Sequence, residues 1–299
     1  PMNNPLAYDL ARQAGSLTPE VRLFEVYVNG QSQGMAFVVQ HHGKVQFDQY
    51  MKNPDEYLLH KYKDGIHGKK EVLFSQYLRE PVEKKYTYSE ISALIDMDNF
   101  LRHAFALAFS GDEDYCQGVA LLDYKIKGEK LKWIQWDMDH CFFDLDAVKY
   151  NLKRPNWQQN GLNLYYRQKH HCDRTWLFTN MVNEYPEFKK LMLKTYTEIL
   201  NHRLTREYLL SRVSYYDNMM AEFGDYELYV NMLKDFMQNR PDFIWHEMGG
   251  LFGIGVPHKI TVKIPKHVKV MIDGFEYENE YSGQYFEGQQ INLKGPQEE

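Results

Sequence analysis

At 299 residues, with 43% hydrophobic and 25% charged side chains, the chain is globular in character and long enough for one large domain or two ordinary ones. A net charge of -6, with acids and bases interspersed, gives no basis for nucleic acid or an anionic membrane as its main partner. No apolar run reaches the ~18–20 residues of a bilayer span, and no charged-then-apolar leader opens the chain. Opening on Pro1, the sequence reads as processed or trimmed at that end.

In chain order, "PLAYDLARQA" places Leu6, Leu10 and Ala14 at helical spacing, with Gly15 as a C-cap. "RLFEVYVNGQSQGMAFVVQ" is two apolar runs around Asn29-Gly30, the pair that supplies the positive φ angles of a tight hairpin turn. Residues 44–85 read as short helices and loops broken at Pro54. From Tyr88 to Ala108 one helix is expected, started by Ser89 or by the Asp96 and Asp98 pair, with Ile91, Leu94, Phe100, Leu101 and Phe105 on its core face. "VALLDYKIKGEKLKWIQWD" predicts a second hairpin, turning at Gly128 and ending in acids. A polar loop follows, then helices from Trp176 to Met248 interrupted near Asn201 and Gly224, where the aromatic series Tyr208, Tyr215, Tyr216, Phe223, Tyr226 and Tyr229 reads as helix packing. The last segment alternates with Gly punctuation, so residues 1–255 form the main unit and 256–299 a small β appendage. Cys116, Cys141 and Cys172, an odd set, read as buried free thiols rather than a disulfide framework or a zinc set.

The chemistry sits around the second hairpin. Asp112, Glu113 and Asp114 precede it, Asp137 and Asp139 end it, and a hairpin returns the chain near its origin. In a strand, Asp137 and Asp139 would project to one side. Convergent carboxylates either bind a hard cation such as Mg²⁺ or Mn²⁺ or raise one another's pKa. A catalytic Asp, an amide a few residues later, a strand pair and then a metal-binding Asp is also the order of parts in phosphoryl transfer by protein kinases. Acids at loop ends serve equally as helix caps or solvated surface. His140 and the "QHHGK" and "KHHCD" stretches lack partners at metal-ligand spacing and read as structural or surface histidines.

Four stretches taken together resemble the CotH kinase family, the spore-coat-type atypical protein kinases: "NNPLAYDLARQAG", "VYVNGQSQGMAFVVQ", "SGDEDYCQGVALLDY" and "KWIQWDMDHCF". "DFMQNRPDFIWHEM" is similar to the family's closing Arg-Pro helix, so the likeness runs from about residue 5 to 248. The resemblance implies an α+β, bilobal kinase-like fold with a small β-rich N-lobe whose first strands are missing or shortened, a helical C-lobe and a C-terminal β appendage. It implies ATP and Mg²⁺ (or Mn²⁺) as cofactors and a protein substrate with a Ser or Thr acceptor. Asp114 takes the catalytic position, Asp137 the principal metal position, Asp139 and Gln117 supporting ones, and Lys44, Lys61 and Lys63 are candidate phosphate contacts. The cell surface, the spore coat or secretion is the implied location. Gln117 stands where kinases usually place Asn, and Gln40 where the family often has Glu. These departures keep open a catalytically decayed scaffold with a structural or adhesive role, and the Asp-x-Asp also fits a metal-dependent glycosyltransferase.

Overall fold

The computed structural model describes residues 2–40, 57–61, 77–112, 116, 119–123, 128–142, 156–167, 172–221, 224 and 226–295. The first helix, α1 (Asn3–Gln13), buries Leu6 and Leu10 as its spacing predicts, but also Pro5, Ala7, Tyr8 and Ala11. It is an embedded helix, and Gly15, at φ 87°, turns the chain out of it. Strands β1 (Val21–Val28) and β2 (Gln31–Val39) form the predicted hairpin, with Asn29 and Gly30 at φ 53° and 78° in its turn. Val21, Met35, Phe37 and Val39 pack on the core, whereas Phe24 and Val38 on the other face are exposed.

Within the stretch expected to hold only short helices and loops, residues Tyr57–Lys61 form a strand, β3. Helix α2 (Glu80–Glu83) follows. The single helix expected from 88 to 108 is two. α3 (Tyr88–Leu94) starts on a reciprocal Thr87/Glu90 cap, and α4 (Met97–Ser110) starts on the Asp96 side chain, which accepts from the Asn99 amide. The break at Ile95 and Asp96 has a physical cause: the Asp96 amide donates to the Leu131 carbonyl and the Leu131 amide to Leu94, so this segment pairs with an extended one instead of continuing the helix.

Strand β4 (Val119–Asp123) pairs antiparallel with both β3 and β5 (Lys132–Ile134), making a three-stranded sheet where a two-stranded hairpin was expected. Trp133 of β5 is fully buried on Phe100 of α4, 4.7 Å between ring centroids, and Phe100 also meets Phe178 and Phe188. Asn99 stitches the two elements by accepting from the Trp133 amide and donating to its carbonyl, at 2.6 and 3.1 Å. Truncating Phe100 to Ala here would cost about 3–5 kcal/mol.

The helical remainder comprises α5 (Leu162–Arg167), α6 (Asp173–Glu184), α7 (Pro186–Glu198), α8 (Arg206–Met220) and α9 (Glu227–Phe252). A wide π-type turn, Ile199–Arg203, carries α7 into α8. Of the aromatic series, Tyr216 is buried, Tyr208, Tyr226 and Tyr229 pack partly on the core and Tyr215 is exposed; Phe223 lies outside the described residues. Strands β6 (His258–Lys263), β7 (Lys269–Ile272), β8 (Phe275–Glu278), β9 (Glu280–Tyr285) and β10 (Leu293–Lys294) then pair as β6-β9 and β10-β7-β8. They enclose a small core of Ile272, Tyr281 and Tyr285, and Phe286 reaches Trp245 of α9. Among the described residues no helix is long and apolar enough to cross a membrane.

Candidate active site around the Asp137 turn

Strand β5 stops at Ile134, before the acids. The Gln135 amide donates to the Leu17 carbonyl, and its side-chain amide to Ser16 Oγ and the His103 carbonyl, which draws the chain out of the sheet. Asp137 then adopts left-handed backbone angles (φ 56°, ψ 50°) and leads a 3₁₀ turn, Met138–His140. The expected strand alternation of Asp137 and Asp139 is therefore corrected: both sit in a tight turn, Asp137 half-buried and Asp139 exposed. A non-glycine residue in this region costs of order 1–3 kcal/mol and persists only where its surroundings hold it.

Those surroundings come from α1. The Asp137 amide donates to Tyr8 Oη at 2.9 Å and the Met138 amide to Asn4 Oδ1 at 3.0 Å. Asn3 Nδ2 donates to the carbonyls of Asp139 and Cys141, at 2.9 and 3.1 Å. Burial pushes the Tyr8 phenol well above its ordinary pKa, and the Asp137 carboxylate adds to this, so the hydroxyl is a neutral acceptor. Sequence reasoning read α1 by its apolar spacing and missed this set. The available signal was Asn4 and Tyr8 four residues apart on an otherwise apolar helix.

The two acidic stretches are neighbours at their described ends. The Phe142 amide donates to the Ser110 carbonyl at 2.7 Å, and the Cys141 thiol lies in the field of both Asp112 and Asp139. Burial, and then the Asp112 charge, push that thiol far above its ordinary pKa, so it remains protonated and is a poor metal ligand. Asp112 is buried at 2% exposure, beneath the surface rather than in it.

Arg240 forms the floor. It is fully buried and donates to the carbonyls of Phe109, Trp157, Gln159 and Asn160 at 2.6–3.2 Å, and to that of Ala108. It thus satisfies the last carbonyls of α4, which Gly111 ends at φ 68°, and fastens the 157–160 segment beside them. Glu247, two turns further along α9, accepts from the Leu162 and Asn163 amides at the start of α5.

Cys116 and Cys172 form a disulfide, and Cys141 alone is a free buried thiol. The expectation of buried free thiols holds for Cys141 and fails for Cys116 and Cys172, because the fold brings Cys116, after α4, to the start of α6, across 56 residues of chain. Of the sequence-predicted site residues, Asp137 and Asp139 share the turn. Lys61 closes β3, where its backbone pairs with Val119, two residues beyond Gln117. Asp114, Gln117, Lys44 and Lys63, with Glu113, lie outside the described residues. Among the described residues no group of three His, Cys, Asp or Glu side chains could hold a metal. Two carboxylates suffice for Mg²⁺ when substrate phosphates and water complete its shell, and the all-oxygen set of Asp137 and Asp139, beside a protonated thiol, fits that hard ion.

No curated protein matches the sequence significantly. A family model described as CotH kinase protein matches residues 55–244, a span that takes in β3–β5, the Asp137 turn and Arg240 but leaves α1 and the first hairpin outside it. With more than half of its length matched, the chain belongs to the CotH kinase protein family.

Proposed function

We propose that the protein is an Mg²⁺- and ATP-dependent kinase that phosphorylates Ser or Thr on a protein substrate. The nucleotide sits between a small strand-rich lobe and the helical body of residues 1–255, with 256–299 as an appendage. The observation that supports this reading is the Phe142–Ser110 hydrogen bond, which sets the end of α4, just ahead of the first acidic stretch in sequence, beside the Asp137 turn. ATP bound with Mg²⁺ supplies the γ-phosphoryl group and the charge neutralisation that phosphoryl transfer requires. Asp137 holds the metal, with Asp139 and the Gln117 carbonyl oxygen in support. Asp114 orients the acceptor hydroxyl and takes its proton, while Lys61, with Lys44 and Lys63, meets the phosphates. Most of the rate comes from positioning and electrostatics, for which a turn held by a buried helix is suited. The Cys116–Cys172 disulfide supports an oxidising location, at a cell or spore surface or after secretion.

Incubation with γ-labelled and α-labelled ATP tests the reaction. Label from the γ position should pass to protein in the parent and not in Asp114→Asn or Asp137→Ala. Transfer of α label would make the enzyme an adenylyltransferase, and unimpaired labelling by Asp137→Ala would remove the site assignment. One observation favours the scaffold reading: Gln40 Oε1 accepts from the Glu20 amide and closes the first hairpin, a structural task in place of an ion pair. A thermal shift with Mg²⁺ and ATP separates the two, since ligand at a hundred times its Kd adds ~2.7 kcal/mol of stability. A scaffold shows no shift.

A further inference from the structure

We infer that Asn3, Asn4 and Tyr8 of α1 are positioning residues that set the metal-binding geometry of the Asp137 turn. The inference rests on the reading of Asp137 as a metal ligand. Successive backbone amides in a left-handed-then-right-handed turn point to the same side and make a concavity that ordinarily attracts an anion. At Asp137 and Met138 this concavity is closed by two neutral oxygens of one helix, Tyr8 Oη and Asn4 Oδ1. Asn3 takes the carbonyls of Asp139 and Cys141 on the far side of the same turn. Three side chains of α1 thus engage four main-chain groups over five residues, and no charge is added next to the carboxylates.

The helix can act as a rigid template because it is held on its other side. Arg212 of α8 donates to Asp9 at 2.5 Å, Tyr216 Oη donates to the Pro5 carbonyl at 3.2 Å, and Tyr229 Oη of α9 donates to Asn3 Oδ1. The outcome is a fixed left-handed Asp137, whose Cα–Cβ direction differs from that of a relaxed, extended residue. A ligand oriented by outer hydrogen bonds typically loses 10–100-fold in metal affinity or activity when such a partner is removed. Because α1 lies outside residues 55–244, the geometry of the matched segment is completed by a helix beyond that span.

The test measures Mn²⁺ binding in the presence of ATP by electron paramagnetic resonance, which needs no turnover, on the full chain and on Tyr8→Phe, Asn4→Ala, Asn4→Asp and Asp137→Asn. Tyr8→Phe and Asn4→Ala should weaken Mn²⁺ binding 10–100-fold, and saturating metal should restore kcat to within a few fold. Asn4→Asp, which keeps the acceptor oxygen and adds a negative charge beside the cation, should bind at least as tightly as the parent does. A purely structural role would lower thermal stability and leave metal affinity unmoved. If Asp137→Asn loses the metal while Tyr8→Phe and Asn4→Ala bind it with parental affinity, the positioning role is wrong and the site stands. If Asp137→Asn itself binds as the parent does, the site reading falls and the positioning role with it. Should Tyr8→Phe fail to fold, Asn4→Ala decides the matter, and equal affinities of Asn4→Ala and the parent would overturn the inference.

Discussion

The floor beneath the Asp137 turn and the seam between the helices and the C-terminal strands both bury polar groups, but they spend them differently. In the floor, Arg240 donates to main-chain carbonyls and Glu247 accepts from main-chain amides. Burial lowers the Arg240 pKa to about 9, with Glu247 opposing the shift, so it stays cationic at neutral pH. In the seam, the π-type turn presents His202 between Phe275 and Tyr281, with ring centroids at 4.6 and 5.3 Å. Its Nδ1 meets Tyr277 Oη at 2.6 Å, its Nε2 lies 3.7 Å from Asp273, and Tyr285 donates to the same Asp273. One region fastens backbone to two buried side chains of opposite charge type. The other fastens side chain to side chain, through a histidine.

If that contrast is right, Arg240→Met should be the most damaging change, because it leaves several carbonyls buried and unpaired. A loss of about 3–5 kcal/mol is expected in urea unfolding, and a loss under about 1 kcal/mol would show that the floor does not depend on the guanidinium. Next, reducing the Cys116–Cys172 bond, which spans 56 residues, should cost about 2–4 kcal/mol in the parent. Dithiothreitol should leave the melting temperature of a Cys116→Ser/Cys172→Ser variant unchanged. Asp137→Gly should abolish metal-dependent labelling yet cost no stability and gain up to about 1 kcal/mol, since Gly adopts the left-handed region freely. A clear loss of stability instead would mean that the turn's angles carry little strain.

The smallest effect concerns the seam. Burial holds the His202 pKa below the ordinary value of about 6.5, with Asp273 working against the shift. Above that pH both docked and released states leave the ring neutral, so the full docking stability is present. As pH falls below it, the released state takes a proton that the docked state refuses, and docking weakens. Protection of the β6 and β9 amides, taken relative to the intrinsic exchange rate at each pH, should therefore fall from pH 7.5 to 5.5 in the parent and respond far less in His202→Gln. An equal response in both would place the titrating group elsewhere.

Much of this was legible in the sequence where local chemistry decides. Asn29-Gly30 announced the first hairpin, and the alternation after residue 256 announced the terminal strands. The closeness of the described ends of the two acidic stretches followed from hairpin return alone. What escaped depended on distant partners. Asn3, Asn4 and Arg240 stood only as parts of stretches that resemble the family, and His202 without a role, until the fold supplied the backbone or rings they serve, and the helix break at Asp96 needed Leu131 beside it. The departure of Asp137 from the strand was hidden for the same reason, since Gln135 is drawn away by Leu17, Ser16 and His103.

The clamp on the Asp137 turn also has a consequence for the order of events during synthesis. Asn4 and Met138 are 134 residues apart, and Asn3 and Tyr229 are 226 apart, so these contacts have high sequence separation and close late. Helix α1 must wait for α9, 226 residues further along between Asn3 and Tyr229, before it is seated. A nascent chain that already holds α1 and both acidic stretches still lacks the α8 and α9 contacts that seat the helix, and competence arrives only when the chain's distant parts have met.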